Sequence, residues 1–328
     1  MALSTRTNGR ILVTGAGGFI GRALCASLEQ AQIEYIAAVR TVAPEDAKKP
    51  AYVALGDFAA ADWHGVLGGV ETVVHLAGRA HALGRDAGAA TPYIVANVHV
   101  TRRLADAAAR AGVRRIVFAS TVKVYGEASA RGRPFCAGDA AGPRDAYAHS
   151  KAEAENVLRE IAAARGVEAV VLRLPLTYGP GVKGNFLALM ESIAEQRRLP
   201  LAGIANRRSL LYVGNAVSAI EAALSARGLA GDALPIADAE TISTRDLAVT
   251  LARALRVEPR LFAVPAPFLR GAAAIVGRGA DAARLLDSLE VDALRFRGLT
   301  GWKPPHSLDE GLLATAAWWR REHPALRR

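Results

Sequence analysis

Through the first half of the chain, short apolar runs alternate with longer stretches in which apolar residues recur every third or fourth position. The runs RILVT, IEYIAAV, YVAL, TVVHLA, RIVFAS and AVVLRL read as strands, and GFIGRALCASLEQ, YIVANVHVTRRLADAAARAG and AYAHSKAEAENVLREIAAARG as helices. That order predicts parallel strands joined by right-handed helical crossovers, an α/β doubly wound sheet. Beyond Arg173 the rhythm changes. Proline and glycine interrupt LPLTYGPGVKGN, and shorter elements follow, two of them opening on capping-box sequences, Ser243–Asp246 and Ser307–Glu310. The pattern predicts a larger domain over 1–173 and a smaller, lid-like C-terminal α/β domain after it. There is no internal repeat, low-complexity tract or linker.

Composition narrows the class. With 328 residues, 51% apolar and 22% charged, the chain has the balance of an ordinary globular protein. Cys25 and Cys136 stand alone, with no disulfide framework or zinc spacing, which suits a reducing, cytoplasmic setting. The opening MALSTRTNGRILVTG lacks the apolar core of a signal peptide, and no segment reaches about 18 uninterrupted apolar residues; even FLRGAAAIVGRG is broken by arginine. No membrane partner is expected. The formal charge of +10 is scattered, without a basic tract or interleaved aromatics, so no nucleic acid is expected either; an anionic small substrate accounts for the balance equally well. The histidines lack ligand spacing, and no metal is expected.

ILVTGAGGFIGRAL reads strand, glycine turn, helix, with Gly15, Gly18 and Gly21 spaced to let a pyrophosphate reach the free N–H groups of a helix N-terminus. This is the context of a Rossmann-type dinucleotide site. The second strand ends in Arg40, where a carboxylate would bind the ribose of NAD and an arginine can instead neutralise the 2′-phosphate of NADP. NADP(H) is therefore favoured and NAD(H) remains open; a surface arginine at a strand end is the plain alternative. Asp57, after the third strand, is placed for the adenine edge or as a turn aspartate.

Tyr147 and Lys151 stand one turn apart at the start of a predicted helix. Residues at i and i+4 are neighbours, and a cation beside a phenol lowers its pKa from about 10 toward the range of a general acid or base. A packed tyrosine beside a solvated lysine is the alternative. Context decides, because Thr121 comes just off the carboxyl end of the fifth strand, where ligands sit in open α/β sheets.

Thr121, Tyr147 and Lys151 behind the glycine loop resemble the extended short-chain dehydrogenase/reductase family, the nucleotide-sugar epimerases, dehydratases and ketoreductases. HLAG at His75–Gly78, Asn97, YGPG at Tyr178–Gly181, NRRSLLYV at Asn206–Val213 and GWKP at Gly301–Pro304 carry the resemblance along nearly the whole chain. It implies Tyr147 as proton donor or acceptor, Thr121 on the same sugar oxygen, and Lys151 tuning the phenol and holding the nicotinamide ribose. It also implies cofactor contacts from Phe19, Ile20, Phe58, Leu76, Ala77, Gly78, Asn97 and Pro175. Arg208 and Asn185 are implied at the substrate diphosphate, and Arg79, His81 and Lys123 near the sugar; for His81 a structural role is equally open. A guanidinium forks onto two phosphate oxygens, which agrees with the role of Arg208. The family's usual assembly is a homodimer through the helices at Tyr93–Ala111 and Tyr147–Arg165.

Dehydratases of this family carry an acidic pair after the active threonine. Here Val122 and Lys123 stand there, so elimination lacks its acid and base. STVKVYGE, GVKGNF and NRRSLLYV look most like the branch that reduces a UDP-4-keto-6-deoxy-N-acetylhexosamine in surface polysaccharide synthesis. A UDP-glucose or UDP-N-acetylglucosamine 4-epimerase is the alternative, and a non-catalytic NADP-binding regulator a second. His149 within YAHSK and Tyr125 depart from the reductase pattern.

Overall fold

The computed structural model describes residues 9–49, 51–80, 89–275 and 279–324. Among them, seven parallel strands form the large sheet: β1 (Arg10–Thr14), β2 (Tyr35–Val39), β3 (Tyr52–Ala54), β4 (Val70–His75), β5 (Arg115–Thr121), β6 (Glu168–Leu174) and β9 (Ala233–Pro235), in the order β3-β2-β1-β4-β5-β6-β9. The central strands are near-continuous apolar runs because helices cover both faces. Ile11, Leu12 and Val13 of β1 are fully buried, as are Val73 and Val74 of β4, which pairs beside it. Strand order reverses between β1 and β4, opening a crevice at the carboxyl ends of the strands. The Rossmann-type α/β fold expected from the alternation is present.

The crossovers run through α1 (Phe19–Gln30), the short α2 (His64–Leu67), α3 (Thr91–Tyr93), α4 (Val100–Arg110) and α5 (Ala146–Arg165). A π-helical turn, Ile94–His99, joins α3 to α4 inside the stretch expected to be one α-helix. α5 starts where Asp145 caps it, its Oδ1 accepting from Ala148 N at 2.7 Å, and ends at Gly166 in the left-handed region, φ 71°.

A second sheet, β10 (Thr241–Ile242), β8 (Arg208–Tyr212) and β7 (Leu176–Tyr178), packs with α6 (Asn185–Ala194), α8 (Thr244–Leu255) and α12 (Leu308–Glu322) around Phe186, Met190, Leu251 and Leu312. Between β8 and β9, α7 (Val213–Ser225) packs its apolar face onto the large sheet's core. Buried polar contacts tie the two layers. Asp238 accepts from the backbone N–H of Tyr212, from Asn215 at 2.7 Å and from the Tyr178 hydroxyl at 3.3 Å. Ser307 and Glu310 form the full capping box at α12. At α8, Ser243 accepts from Asp246 N, but Asp246 receives the Ser243 hydroxyl and not its backbone N–H. α9 (Ala266–Ile275), α10 (Gly279–Leu286) and α11 (Leu294–Thr300) complete the chain's helices among the described residues.

Candidate active site

The glycine loop closes through Gly18 N donating to Gly15 O at 2.8 Å. Gly15 has φ +71°, and a Cβ there would stand 2.7 Å from Ala77 N; a Cβ at Gly21 would stand 2.2 Å from Gly15 O. Neither position accepts a side chain. Helix α1 has Gly18 as its N-cap and no side-chain capping bond, so its first N–H groups are left for an anion in the crevice. This cradle fits a dinucleotide pyrophosphate.

The opposite wall is the end of β4. His75 is buried, its ring between the hydroxyls of Thr14 at 2.7 Å and Thr101 at 3.0 Å. Burial, with the Lys151 charge adding to it, pulls its pKa down to about 3, so it stays neutral. Asn97 lies in the π-turn with its amide turned inward: Oδ1 accepts from Arg79 N at 2.8 Å, and Nδ2 donates to Arg79 O and to Ser150 Oγ. Asn97 therefore fastens the Gly78–Arg79 loop to α5, which carries Tyr147 and Lys151.

Thr121 ends β5, buried, near enough to the Tyr147 phenol to oppose the rise of its pKa, and the Tyr147 ring lies 6.1 Å from that of Tyr93. Thr121 and Tyr147 thus line the same cleft. The expected tuning of the phenol is not what this geometry produces. Burial pushes Tyr147 up to about 12, against the lowering effect of Thr121. Lys151 is buried with its Nζ 3.9 Å from the ring centroid of Phe118 on β5, and burial brings its pKa down to about 7 while Glu155 opposes.

These groups open on a cleft of ≈ 2690 Å³ that runs from Gly18 and Phe19 past Tyr147 and Pro175 to Asn185 and Arg208. The Arg208 guanidinium donates to the carbonyls of Arg284 and Asp287, at 2.7 and 2.9 Å, and burial lowers its pKa. Lys123 also faces the cleft, yet its ammonium is held by Glu127 at 2.9 Å and Asp145 at 2.6 Å. Burial resists ionisation of Asp145, but its bonds to Lys123 and Ala148 N hold it below the usual carboxylate range. Arg40 is exposed at the end of β2, outside this cleft lining. Asp57 uses its Oδ1 on Ala59 N at 3.0 Å, the turn role. The Phe58 ring is buried in the core, 5.1 Å from Trp63, and Ile20 packs toward the sheet. Leu76 and Ala77 form the floor under Gly15. His81 lies outside the described residues.

Three participants escaped the sequence reading. Glu155 is buried one turn beyond Lys151 and receives Arg173 on both oxygens, at 3.0 and 2.6 Å, together with Arg159 and the Ser120 hydroxyl. Extending the tyrosine–lysine spacing by one more turn points to it. Arg284 lines the cleft beside Arg208, and Tyr93 stands over Tyr147; neither carries a local signal.

A glycine cradle at the switch point, with Thr121 at the end of β5 and with Tyr147 and Lys151 on α5, is the arrangement of the extended short-chain dehydrogenase/reductase class. Residues 11–237 match the model of the NAD dependent epimerase/dehydratase family, and the chain belongs to that family. It is 35% identical over 311 residues to a UDP-glucose 4-epimerase of Vibrio cholerae, covering 93% of this chain and 94% of the relative. It is 30% identical over 338 residues to a dTDP-glucose 4,6-dehydratase of Streptomyces griseus, covering 95% and 94%. Among solved structures, MoeE5 in complex with UDP-glucuronic acid and NAD superposes with a TM-score of 0.79 at 26% identity, covering 96% of this chain and 100% of that one.

Proposed function

We propose that the chain is a nicotinamide-dependent oxidoreductase acting at C4 of a UDP-sugar, and that it works as a reductase of a 4-keto-6-deoxy-N-acetylhexosamine. The observation that carries the C4 chemistry is that Thr121 and Tyr147 line one cleft together with the glycine cradle and Arg208. Gly15, Gly18 and Gly21 would hold the dinucleotide pyrophosphate and Lys151 the nicotinamide ribose. The bound nicotinamide supplies the hydride. Tyr147, protonated throughout the neutral range, hands its proton to the sugar oxygen while Thr121 orients that oxygen. Val122 and Lys123 in place of an acidic pair argue against dehydration.

Arg40, exposed where β2 ends, supports NADPH drawn from the reduced pool. Arg208 and Asn185 would take the substrate diphosphate, and the α4–α5 face would make a homodimer. The 35% identity to a UDP-glucose 4-epimerase favours a second reading, a UDP-hexose 4-epimerase that regenerates its cofactor in each cycle.

Deuterated NADPH separates the two. A reductase consumes one NADPH per keto sugar and places the label at C4. Interconversion of 4-epimers without added nicotinamide, at ordinary enzyme rates, overturns the reductase in favour of the epimerase. Arg40→Asp should weaken NADPH relative to NADH; wild type binding both equally removes Arg40 from the assignment.

A further inference from the structure

Helix α9 reverses the usual amphipathic arrangement. None of its residues is buried. Phe268 is 72% exposed and Ile275 88% exposed, and at this spacing they lie on one face with Ala272 between them. The partly buried positions, Leu269 and Ala273, fall on another face. In the segment leading into the helix, Phe262, Ala263 and Pro265 are exposed as well. Such a stretch has no reason to face water in a finished monomer.

Its border is basic. The Arg198 guanidinium lies 5.4 Å over the Phe262 ring, and exposed Arg260 pairs through its backbone carbonyl with Leu199 N at 2.9 Å, beside it. Arg256 adds a third exposed cation against the single carboxylate of Glu258 in the same turn of chain. Within α9, Arg270 is neutralised by Asp287. The carbonyl of that same Asp287 accepts from Arg208, so the apolar lip is tied to the mouth of the cleft.

We propose that this lip, α9 with its arginine border, rests on an anionic bilayer surface, and that the cleft opens beside the membrane. The apolar side chains enter the boundary between headgroups and acyl chains while the arginines meet the anionic headgroups. No helix among the described residues is long and apolar enough to cross a membrane, and the ten residues of α9 are suited to lying in the surface. This reverses the expectation of no membrane partner, which rested on spanning segments alone. A second copy of the chain is the other candidate occupant, but a two-fold contact through this face would bring the arginine borders of both copies together.

The test is co-sedimentation of the full chain with vesicles of phosphatidylcholine alone and of phosphatidylcholine mixed with phosphatidylglycerol. Wild type should sediment with the anionic vesicles and be released by salt. Phe268→Asp/Ile275→Asp should weaken partition on the order of ten-fold or more, and Arg198→Ser and Arg260→Ser about five-fold each. These side chains are exposed and outside the cleft lining, so thermal midpoints and turnover of soluble substrate should stay at wild-type values. Absence of wild-type binding overturns the proposal. So does binding retained by the Phe268/Ile275 variant, which marks unspecific charge attraction, or equal binding to phosphatidylcholine alone, which marks a bare apolar ligand. A dimer that this variant splits into monomers, without vesicle binding, overturns it in favour of a second copy.

Discussion

Replacing Glu155 by alanine removes a carboxylate that is 1% exposed and leaves Arg173, 5% exposed, with its guanidinium 4.3 Å over the Tyr125 ring and no anion beside it. Both carboxylate oxygens are used by Arg173, one also takes Arg159, and the other takes the hydroxyl of Ser120. Breaking a buried pair from one side costs about 3–5 kcal/mol, because the remaining charge stays desolvated. For a chain of 328 residues that corresponds to a fall in Tm of roughly 4–7 °C. Glu155→Leu/Arg173→Met removes both charges and fills the space, and should recover most of the loss, to within about 2 kcal/mol of wild type. Urea and thermal melts of the two single variants and the double variant give the coupling directly. A Glu155→Ala loss under about 1 kcal/mol, or a double variant as unstable as Glu155→Ala, would refute the reasoning that the pair matters through its uncompensated partner. The consequence reaches the site, since Ser120 precedes Thr121 on β5 and Lys151 lies one turn before Glu155.

Tyr147→Phe should lower kcat on the order of 100-fold or more while leaving the dissociation constant for the nicotinamide nucleotide unchanged, as read by single-turnover kinetics and fluorescence titration. Lys151 falls from its ordinary value near 10.5 to about 7 on folding, so between those values the unfolded chain binds more protons and stability rises with pH through that window; Lys151→Met should flatten that slope in urea titrations from pH 7 to 10. Arg208→Ala should raise KM for the sugar nucleotide by roughly ten-fold or more without moving the cofactor constant, and an unchanged KM would shift the anion site toward Lys183 or Arg207. Gly21→Ala drives a Cβ to 2.2 Å from Gly15 O, so the turn must open: nicotinamide-nucleotide affinity should collapse and stability fall by about 1–3 kcal/mol, measured by titration and melting.

The order of strands and helices, the glycine turn and the place of Thr121 at the end of β5 were legible because each rests on short-range rules: the period of side chains, the backbone a turn demands, the ligand face of a parallel sheet. The same rules predicted one continuous helix where the π-turn at Ile94–His99 stands, at the place where Asn97 is drawn inward to hold Arg79 and Ser150. They also expected Lys151 to lower the phenol's pKa, but spacing does not report burial, which pushes Tyr147 up and leaves the Lys151 ammonium 3.9 Å from the Phe118 ring centroid. Glu155 meets Arg173 across α5 and β6, and Arg208 meets the Arg284–Asp287 backbone across the second layer, contacts between segments far apart in sequence. An apolar helix such as α9 reads as core from its composition. Only the assembled fold, in which Leu269 and Ala273 are its sole partly shielded positions, turns its phenylalanine and isoleucine outward, because burial depends on what the rest of the chain places over a face and no local pattern encodes that.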